Sequence, residues 1–342
     1  MAEESSATSH LAVVMTTMDA DEMSTTKPGA NSKTSSSSNF EFYSSIVVVV
    51  LAFVGIVGNA LVLYALFASK QHKKIILIVN QNALDLFSSF ALFVVYVLKL
   101  CNIYHSGTLG YWLCVLISSE NFMWGGTNGS IINLAAVTID RYLKVVHRVW
   151  SRNWLRPWVI YSAVAFSWLA GIGYNTVLVF LTSIVIDGVC YGYINFVSVS
   201  AFRAYLSWYI ASFYVVILAI FILCYGRILV AVRRQAKVMA THSATGSSTT
   251  ETQAQAQTHH VQSSVIKTMI LVSTLYAVTW GPTIIYSVLG LLHYPHLTIV
   301  DSRYYITVLI GFLYTSANPF IYATKFDPVR KILKGLIPCI NQ

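Results

Sequence analysis

Residues 133–144, Asn-Leu-Ala-Ala-Val-Thr-Ile-Asp-Arg-Tyr-Leu-Lys, close an apolar segment with Asp140, Arg141 and Tyr142. An arginine is costly to place in hydrocarbon, so this triplet marks the point where a helix leaves a membrane, with an ion pair in its last turn. The basic loop that follows carries Lys144, His147, Arg148, Arg152 and Arg156. Because Lys and Arg concentrate in cytoplasmic loops, the stretch predicts a membrane helix whose C-terminal end faces the cytoplasm.

The composition of the whole chain agrees with a membrane protein. The 342 residues are 56% hydrophobic and only 10% charged, with a mean hydropathy of +0.63. A soluble domain carries about 25% charged residues, so lipid must solvate most of this surface. The net charge of +9 lies in short runs between apolar segments, which orients a membrane protein and does not indicate nucleic-acid binding.

Seven apolar segments are each long enough to cross a bilayer, which takes about 20 residues of helix. Backbone groups in hydrocarbon need internal hydrogen bonds, and the alternating pattern of a membrane β-barrel is missing from the sequence. We therefore predict an all-α membrane protein with a seven-transmembrane helix bundle. Its spans one to seven are predicted at residues 43–68, 75–100, 111–143, 157–182, 203–232, 263–291 and 302–324.

The distribution of basic residues orients the bundle. Of the 22 lysines and arginines, the N-terminal tail, the even-numbered loops and their flanks hold only Lys27, Lys33, Lys99, Arg203 and Arg303. The positive-inside rule then predicts a multi-pass protein with an extracellular N-terminus and a cytoplasmic C-terminus. The plasma membrane is the expected location.

Three regions follow from this organisation. Residues 1–42 are rich in Ser, Thr and acidic residues and predict a disordered extracellular tail, while residues 43–324 form the transmembrane domain. Residues 325–342 alternate apolar and basic side chains and predict an amphipathic helix on the anionic inner leaflet, followed by a short tail. Cys339 in that tail is either a palmitoylation site or an unmodified thiol.

Polar residues inside the apolar segments form an ordered set of motifs. Together they resemble the rhodopsin-like (class A) G-protein-coupled receptors over residues 43–338, and the resemblance implies a receptor with no catalytic activity of its own. The motifs are Gly58-Asn59, Asn80-Gln-Asn-Ala-Leu-Asp85, Asp140-Arg141-Tyr142, Trp168, Trp280-Gly281-Pro282 and Asn318-Pro319-Phe-Ile-Tyr322.

The resemblance assigns the activation machinery. Trp280 would lie beneath the ligand and move on activation, while Pro282 and Pro319 should kink spans six and seven because each removes a backbone donor. Arg141 would pair with Asp140 at rest and meet a G protein when span six moves outward. Tyr225 and Tyr322 match the tyrosines that accompany this movement. Where the family often has an acidic residue that restrains Arg141, this chain has Gln262 and Ser263, which predicts some basal activity.

Asp85 is an isolated carboxylate within span two and must be neutralised. The resemblance places Ser130 and Asn318 beside it, in a cluster that holds an allosteric Na⁺ in the family. The alternative is a protonated aspartate held by hydrogen bonds alone. Apart from this ion, no cofactor and no metal site is expected.

On the outer side, the resemblance implies a disulfide between Cys114 and Cys190, in an oxidising compartment. Cys114 lies 27 residues before Arg141, whereas the family usually has 25. Two extra residues near Gly125-Gly126 would form a bulge, or the helix would start earlier. Span five has Ile217 where the family commonly has a proline.

The ligand is less constrained. Span three has no aspartate in its outer half to bind an amine, and Phe312 replaces the lysine that binds retinal in light receptors, so retinal attachment is excluded. Glu120 could meet a cationic ligand or pair with Lys99, Arg203 or Arg303. We favour a peptide over an apolar small molecule. The expected pocket comprises Glu120, Met123, Trp124, Asn128, Trp280, Ile284 and Tyr304.

The resemblance also implies a heterotrimeric G protein, arrestin and a receptor kinase as partners. A transporter or channel without G-protein coupling is the alternative, but the sequence has no internal repeat and no series of intramembrane charges. An intramembrane enzyme would need paired aspartates or a Ser/His arrangement within the spans, and the sequence lacks both.

Overall fold

The structure is a computed structural model that describes residues 31–70, 75–193, 195–244, 250–292 and 302–336. Cys339, the predicted lipidation site, lies outside these residues. The described helices are α1 (Asn31–Ala68), α2 (Ile76–Leu100), α3 (Gly107–Leu113), α4 (Asn121–Val146), α5 (Arg148–Trp154), α6 (Pro157–Thr182), α7 (Val199–Ile210), α8 (Val216–Ala244), α9 (Thr250–Leu291), α10 (Ser302–Lys325) and α11 (Asp327–Leu336). There are also two π-helical segments. The segment π1 (Cys114–Ser118) follows α3 and precedes α4, and π2 (Ala211–Val215) connects α7 to α8.

These helices form the seven predicted spans. Span one is α1, span two α2, span three α3 to α4, span four α6, span five α7 to α8, span six α9 and span seven α10. The first helix begins at Asn31, twelve residues before the predicted start of span one, and α9 begins at Thr250, well before residue 263. Within the described residues, six spans are long and apolar enough to cross a membrane, namely all except span three.

Span three lies at the centre of the bundle. Its helix α4 packs against spans two, four and five, and its buried residues include Asn128, Ser130, Asn133 and Asp140. The spans at the periphery of the bundle instead expose large apolar side chains, such as Phe53 in span one, Phe166 in span four and Ile222 in span five. This is the pattern of a lipid-facing surface. Protein therefore surrounds the polar side chains of span three, and apolar helices separate them from lipid.

The outer half of span three departs from the single helix predicted over residues 111–143. The helix begins earlier, at Gly107, continues through π1 and is broken at Ser119 and Glu120. Glu120 adopts a left-handed conformation (φ 64°, ψ 19°), which is uncommon for a residue other than glycine. Each π turn inserts a residue relative to an α-helix, so π1 and this break account for the longer spacing between Cys114 and Arg141.

The bulge predicted near Gly125-Gly126 is therefore misplaced, because both glycines lie in the regular helix α4. They serve close packing instead. A Cβ atom on Gly171 of span four would lie 2.5 Å from the carbonyl oxygen of Gly125 and 2.5 Å from the amide nitrogen of Gly129. The Gly125-x-x-x-Gly129 pair thus lets the backbones of spans three and four touch, as small residues do between membrane helices.

A short hairpin covers the outer end of the bundle and was absent from the all-α prediction. Strands β1 (Ile184–Ile186) and β2 (Val189–Tyr191) pair antiparallel around Asp187-Gly188, whose φ angles of 50° and 77° define a two-residue turn suited to hairpins. Cys190 in β2 forms the expected disulfide with Cys114 in π1. The disulfide thus attaches the hairpin to span three just before its break.

At the inner end, α11 is the predicted amphipathic helix. Phe326 and Val329 are buried against the bundle, while Arg330 and Lys331 are exposed. Arg330 also pairs with Asp327 in the first turn (2.7 Å). The basic face is available to anionic lipid headgroups.

Candidate functional site

Asp85 lies at the centre of a buried polar cluster. Ser130 of span three donates a hydrogen bond to its Oδ1 (2.6 Å), and Asn318 of span seven donates to its Oδ2 (3.0 Å). All three residues have no exposed surface. The structure thus brings together the three residues of the predicted cluster, and a sodium ion at this site stays a prediction from the resemblance.

Sequence reasoning missed a row of amide side chains beside this cluster. The Trp168 indole donates to Asn80 Oδ1 (2.8 Å), and Asn80 Nδ2 donates to Asn133 Oδ1 (2.8 Å). Asn133 Nδ2 then donates to Gln81 Oε1 (2.8 Å), and Gln81 Nε2 donates to Ser130. We call these four residues (Trp168, Asn80, Asn133 and Gln81) the amide chain. It connects span four to Asp85 through spans two and three.

The C-terminal end of span three carries an ion-pair group. Arg141 Nη2 lies 3.3 Å from Asp140 Oδ2, as the resemblance predicts for the resting state. Lys144, one turn later, lies closer to the same carboxylate, with its Nζ 2.7 Å from Oδ1. Asp140 is thus shared between two cations, and the buried Nε of Arg141 has no hydrogen-bond partner among the described residues.

Two tyrosines lie between this group and Asp85. The hydroxyl of Tyr225 is within hydrogen-bonding distance of Thr138 in span three (2.9 Å) and Ser273 in span six (3.1 Å). Tyr322 is fully buried, and within the described part of the chain its hydroxyl has no hydrogen-bond partner. Tyr225 therefore joins three spans, while Tyr322 holds a buried donor that a rearranged bundle could satisfy.

Aromatic rings occupy the bundle above Asp85. The ring of Trp280 packs on Trp124, with centroids 5.6 Å apart, and Trp124 also contacts Phe312 (6.3 Å). Trp280 is buried, and none of the residues that the structure describes hydrogen-bonds to its indole nitrogen. Pro282 and Pro319 lie inside helices α9 and α10, as predicted. Phe312, in place of a lysine, is buried against these rings.

Span five has Ile217 at the position of the family's proline, and its helix is irregular nearby. The π2 segment ends two residues before Ile217. The hydroxyl of Tyr276 in span six donates to the carbonyl oxygen of Phe213 within π2. In return, Tyr214 of π2 donates to the carbonyl oxygen of Ala277 (3.0 Å). Spans five and six are thus hydrogen-bonded to each other at a helix irregularity, a kind of feature that is frequent at functional sites.

Glu120, at the break in span three, has internal partners. Lys99 of span two lies 2.5 Å from its Oε1, and the Trp124 indole donates to its Oε2 (3.0 Å). Of the alternatives considered from sequence, the structure shows the pair with Lys99. A cationic ligand group would have to displace Lys99 to reach this carboxylate.

We expect a double-mutant cycle of Lys99→Met and Glu120→Gln to give a coupling energy of about 0.5–1 kcal/mol, which is small because the pair is partly exposed. The measurement is the thermal stability of the four purified proteins. Lys99→Met should be the more harmful single change, since it leaves the carboxylate without its cation. Additive effects of the two substitutions would show that the pair does not form.

The rest of the outer site is held by polar contacts between spans. Asn175 of span four donates to the carbonyl oxygen of Asn121 (2.8 Å) and to the hydroxyl of Tyr193 (2.9 Å). Burial raises the pKa of Tyr193 well above its usual value, so its hydroxyl stays protonated. These bonds fix the start of α4 directly after the left-handed Glu120.

The predicted pocket residues fall into three groups. Glu120, Trp124 and Trp280 contact one another in series. Asn128 accepts a hydrogen bond from Tyr209 of span five (3.0 Å), and Tyr304 packs on Tyr286 of span six (5.6 Å). Met123 is buried and Ile284 is half-buried. Tyr209 is a pocket candidate that the sequence argument missed.

Comparison with known proteins agrees with this architecture. Residues 58–322 match the family described as 7 transmembrane receptor (rhodopsin family), and the chain belongs to this family. The family consists of receptors and not enzymes, in agreement with the sequence-based expectation. The chain is a multi-pass membrane protein.

Individual relatives are distant. The chain is 25% identical to melanopsin-A of Gadus morhua over 303 residues (85% of this chain, 52% of that protein) and so spans about half the length of this relative. It is 26% identical to somatostatin receptor type 5 of Rattus norvegicus over 299 residues (84% and 76%). The crystal structure of squid rhodopsin shares the fold, with a TM-score of 0.71, 18% identity and coverage of 89% and 87%.

Proposed function

We propose that the chain is a G-protein-coupled receptor of the plasma membrane, with an extracellular N-terminus, which promotes nucleotide exchange on a heterotrimeric G protein. The observation that carries this proposal is the position of Arg141. It ends the central span, its side chain is only 13% exposed, and it is held by the carboxylate of the preceding residue. In this structure the Arg141 guanidinium is paired with Asp140. It becomes available to a protein partner when Asp140 is protonated or moves away.

A buried series of contacts supports coupling between the two faces. Trp124 and Trp280 pack at the outer end, and the Asp85 cluster and Tyr225 lie below them. The hydrogen bonds between π2 and span six join the two spans at a helix irregularity, and we propose this junction as the element that rearranges on activation. A ligand that binds one arrangement more tightly shifts the equilibrium by that difference in affinity. Outward movement of span six is the proposed consequence.

A groove at the inner face supports a protein partner. It is lined by Val145, His147, Val149 and Trp150, with Gln235 of span five at its edge. Arg148 donates to Gln235 (2.9 Å), and Val149 of α5 is largely exposed. Exposed apolar side chains beside cations suit a partner such as the G protein, with arrestin and a receptor kinase as further partners.

For the ligand, we propose a peptide. Phe312 argues against covalent retinal, and the internal pair of Glu120 with Lys99 argues against an amine as the main anchor. Tyrosines remain, among them Tyr209, whose hydroxyl donates to Asn128, and Tyr304, whose ring packs on Tyr286, and such rings contact peptides well. One relative is by name a somatostatin receptor, which is consistent with this choice.

The test is a cell-based assay of G-protein activation with peptide fractions, run beside measurements of ion and solute flux. We expect activation of at least one G protein above untransfected cells, with no flux attributable to the chain. A flux that depends on expression of the chain, without any G-protein response, would favour a transporter or channel and overturn the proposal. Scoring ligand-free activation in the same assay tests the predicted basal activity.

A further inference from the structure

We propose that the amide of Gln81, in place of a bound sodium ion, completes the surroundings of Asp85, and that the amide chain from Trp168 holds Gln81 in this orientation. This arrangement around Asp85 involves residues of this chain alone and does not depend on the identity of the ligand or on coupling to a G protein.

Gln81 lies one helical turn before Asp85 in span two and has no exposed surface. Its Nε2 donates to the hydroxyl oxygen of Ser130, and the Ser130 hydroxyl in turn donates to Asp85 Oδ1 (2.6 Å). The same nitrogen lies 3.5 Å from each carboxylate oxygen and 3.3 Å from the Tyr314 hydroxyl. The amide hydrogens thus occupy the side of the cluster where Ser130 and Asp85 present their oxygens.

An amide NH₂ group offers two donors and no acceptor, so it attracts oxygens and repels a cation. The oxygens of Asp85, Ser130 and Asn318 are suitable ligands for Na⁺, and Asn318 Oδ1 has no hydrogen-bond partner in the part of the chain that the structure describes. A cation bridging Ser130 and Asp85 would, however, lie directly against the Gln81 hydrogens. Ion binding therefore requires that Gln81 turn its amide over or leave the cluster.

The amide chain opposes such a turn. Gln81 Oε1 accepts from Asn133, whose other hydrogen goes to the backbone carbonyl of Leu77 (2.9 Å). A carbonyl can only accept, so the orientation of Asn133 is fixed independently of its neighbours. At the other end of the amide chain, the Trp168 indole can only donate a hydrogen bond. The Oδ1 of Asn80 must therefore face Trp168, and its Nδ2 faces Asn133.

Turning Gln81 would bring its NH₂ group against the NH₂ of Asn133 and leave buried groups unpaired. Asn133 and Gln81 have no exposed surface and Asn80 is buried, so bulk water cannot replace the lost bonds. The Trp168 indole at one end of the amide chain and the Leu77 carbonyl beside Asn133 therefore hold the Gln81 NH₂ group towards Ser130 and Asp85. Sodium should gain little by binding here.

The experiment measures the melting temperature of the purified full chain in about 150 mM NaCl, KCl or choline chloride. We expect the wild-type melting temperatures to agree within about 1 °C across the three salts, since no selective ion binding stabilises the fold. In Gln81→Leu, which removes the amide at similar volume, NaCl should raise the melting temperature by about 3 °C or more over KCl. Adding Asp85→Asn to that variant should abolish the rise.

Selective stabilisation of the wild type by NaCl would overturn the proposal, as would a folded Gln81→Leu protein without sodium-specific stabilisation. If Gln81→Leu does not fold, Trp168→Phe provides the second variant, because it keeps a ring against Phe87 and removes only the indole donor. A sodium-specific rise in Trp168→Phe supports the role of the amide chain. Equal melting temperatures of this variant in all three salts would refute it.

Discussion

Replacing Arg141 with alanine is expected to lower receptor-dependent nucleotide exchange by at least about tenfold, because removing a largely buried, charge-paired side chain from an interface costs about 2–5 kcal/mol. Arg141 ends the central span, and its guanidinium is the cation that a G protein would meet after Asp140 releases it. The measurement is ligand-free and peptide-evoked G-protein activation in cells, normalised to the amount of protein at the cell surface.

The matched control is Arg203→Ala, which removes an exposed arginine from the opposite end of the bundle. It should leave ligand-free activation within about twofold of the wild type, since an exposed charge away from partners contributes little. Equal activation by wild type and Arg141→Ala, at equal surface levels, would show that Arg141 is not the coupling residue.

Replacing Gly171 with alanine is expected to destabilise the fold by about 2 kcal/mol or more, because overpacking a close helix contact forces the backbones apart. The new Cβ would lie 2.5–2.7 Å from backbone atoms of Gly125 and Gly129, and backbone cannot yield as a flexible side chain can. Thermal denaturation of purified protein and the yield at the cell surface both report the effect.

Gly173→Ala is the control on the same helix. Gly173 is exposed, and no atom lies within 4 Å of the position that a Cβ would take. Alanine is the better helix former, so this variant should be as stable as the wild type or slightly more stable. Equal stability of Gly171→Ala and Gly173→Ala would contradict the direct backbone contact between spans three and four.

The inner half of the bundle was predictable because its motifs lie on regular helices. Ser130 precedes Arg141 by eleven residues, about three helical turns, so counting along the helix places it correctly. The resemblance to the family placed Ser130 and Asn318 beside Asp85, and an isolated carboxylate in a membrane helix needs such polar partners. The structure shows these contacts at hydrogen-bond distance.

The outer half of span three could not be predicted in detail. Hydrophobic periodicity assumes a constant 3.6 residues per turn, whereas π1 and the left-handed Glu120 change that count. The sequence signal was the two extra residues before Arg141, which predicted either a bulge near Gly125-Gly126 or an earlier helix start. The helix does start earlier, at Gly107, but the irregularity lies at π1 and Glu120. The contact with Gly171 gives these glycines a different role, which depends on the position of a neighbouring span.

The amide chain was also missed, although a signal was present. Asn80, Gln81 and Asn82 are consecutive amides within a membrane helix, and each must find hydrogen-bond partners inside the protein. Gln81 and Asp85 are also four residues apart, so they share a helix face. What the sequence could not supply was the direction of each amide, which the Trp168 indole and the Leu77 carbonyl determine.

Receptor function can be measured with purified components, by combining the chain in lipid nanodiscs with heterotrimeric G proteins and following the binding of a non-hydrolysable GTP analogue. We predict that the chain alone accelerates nucleotide binding on at least one G protein, that a cognate peptide increases the rate, and that Arg141→Ala removes the acceleration. A rate equal to that of empty nanodiscs for every G protein, with and without active peptide fractions, would contradict the assignment.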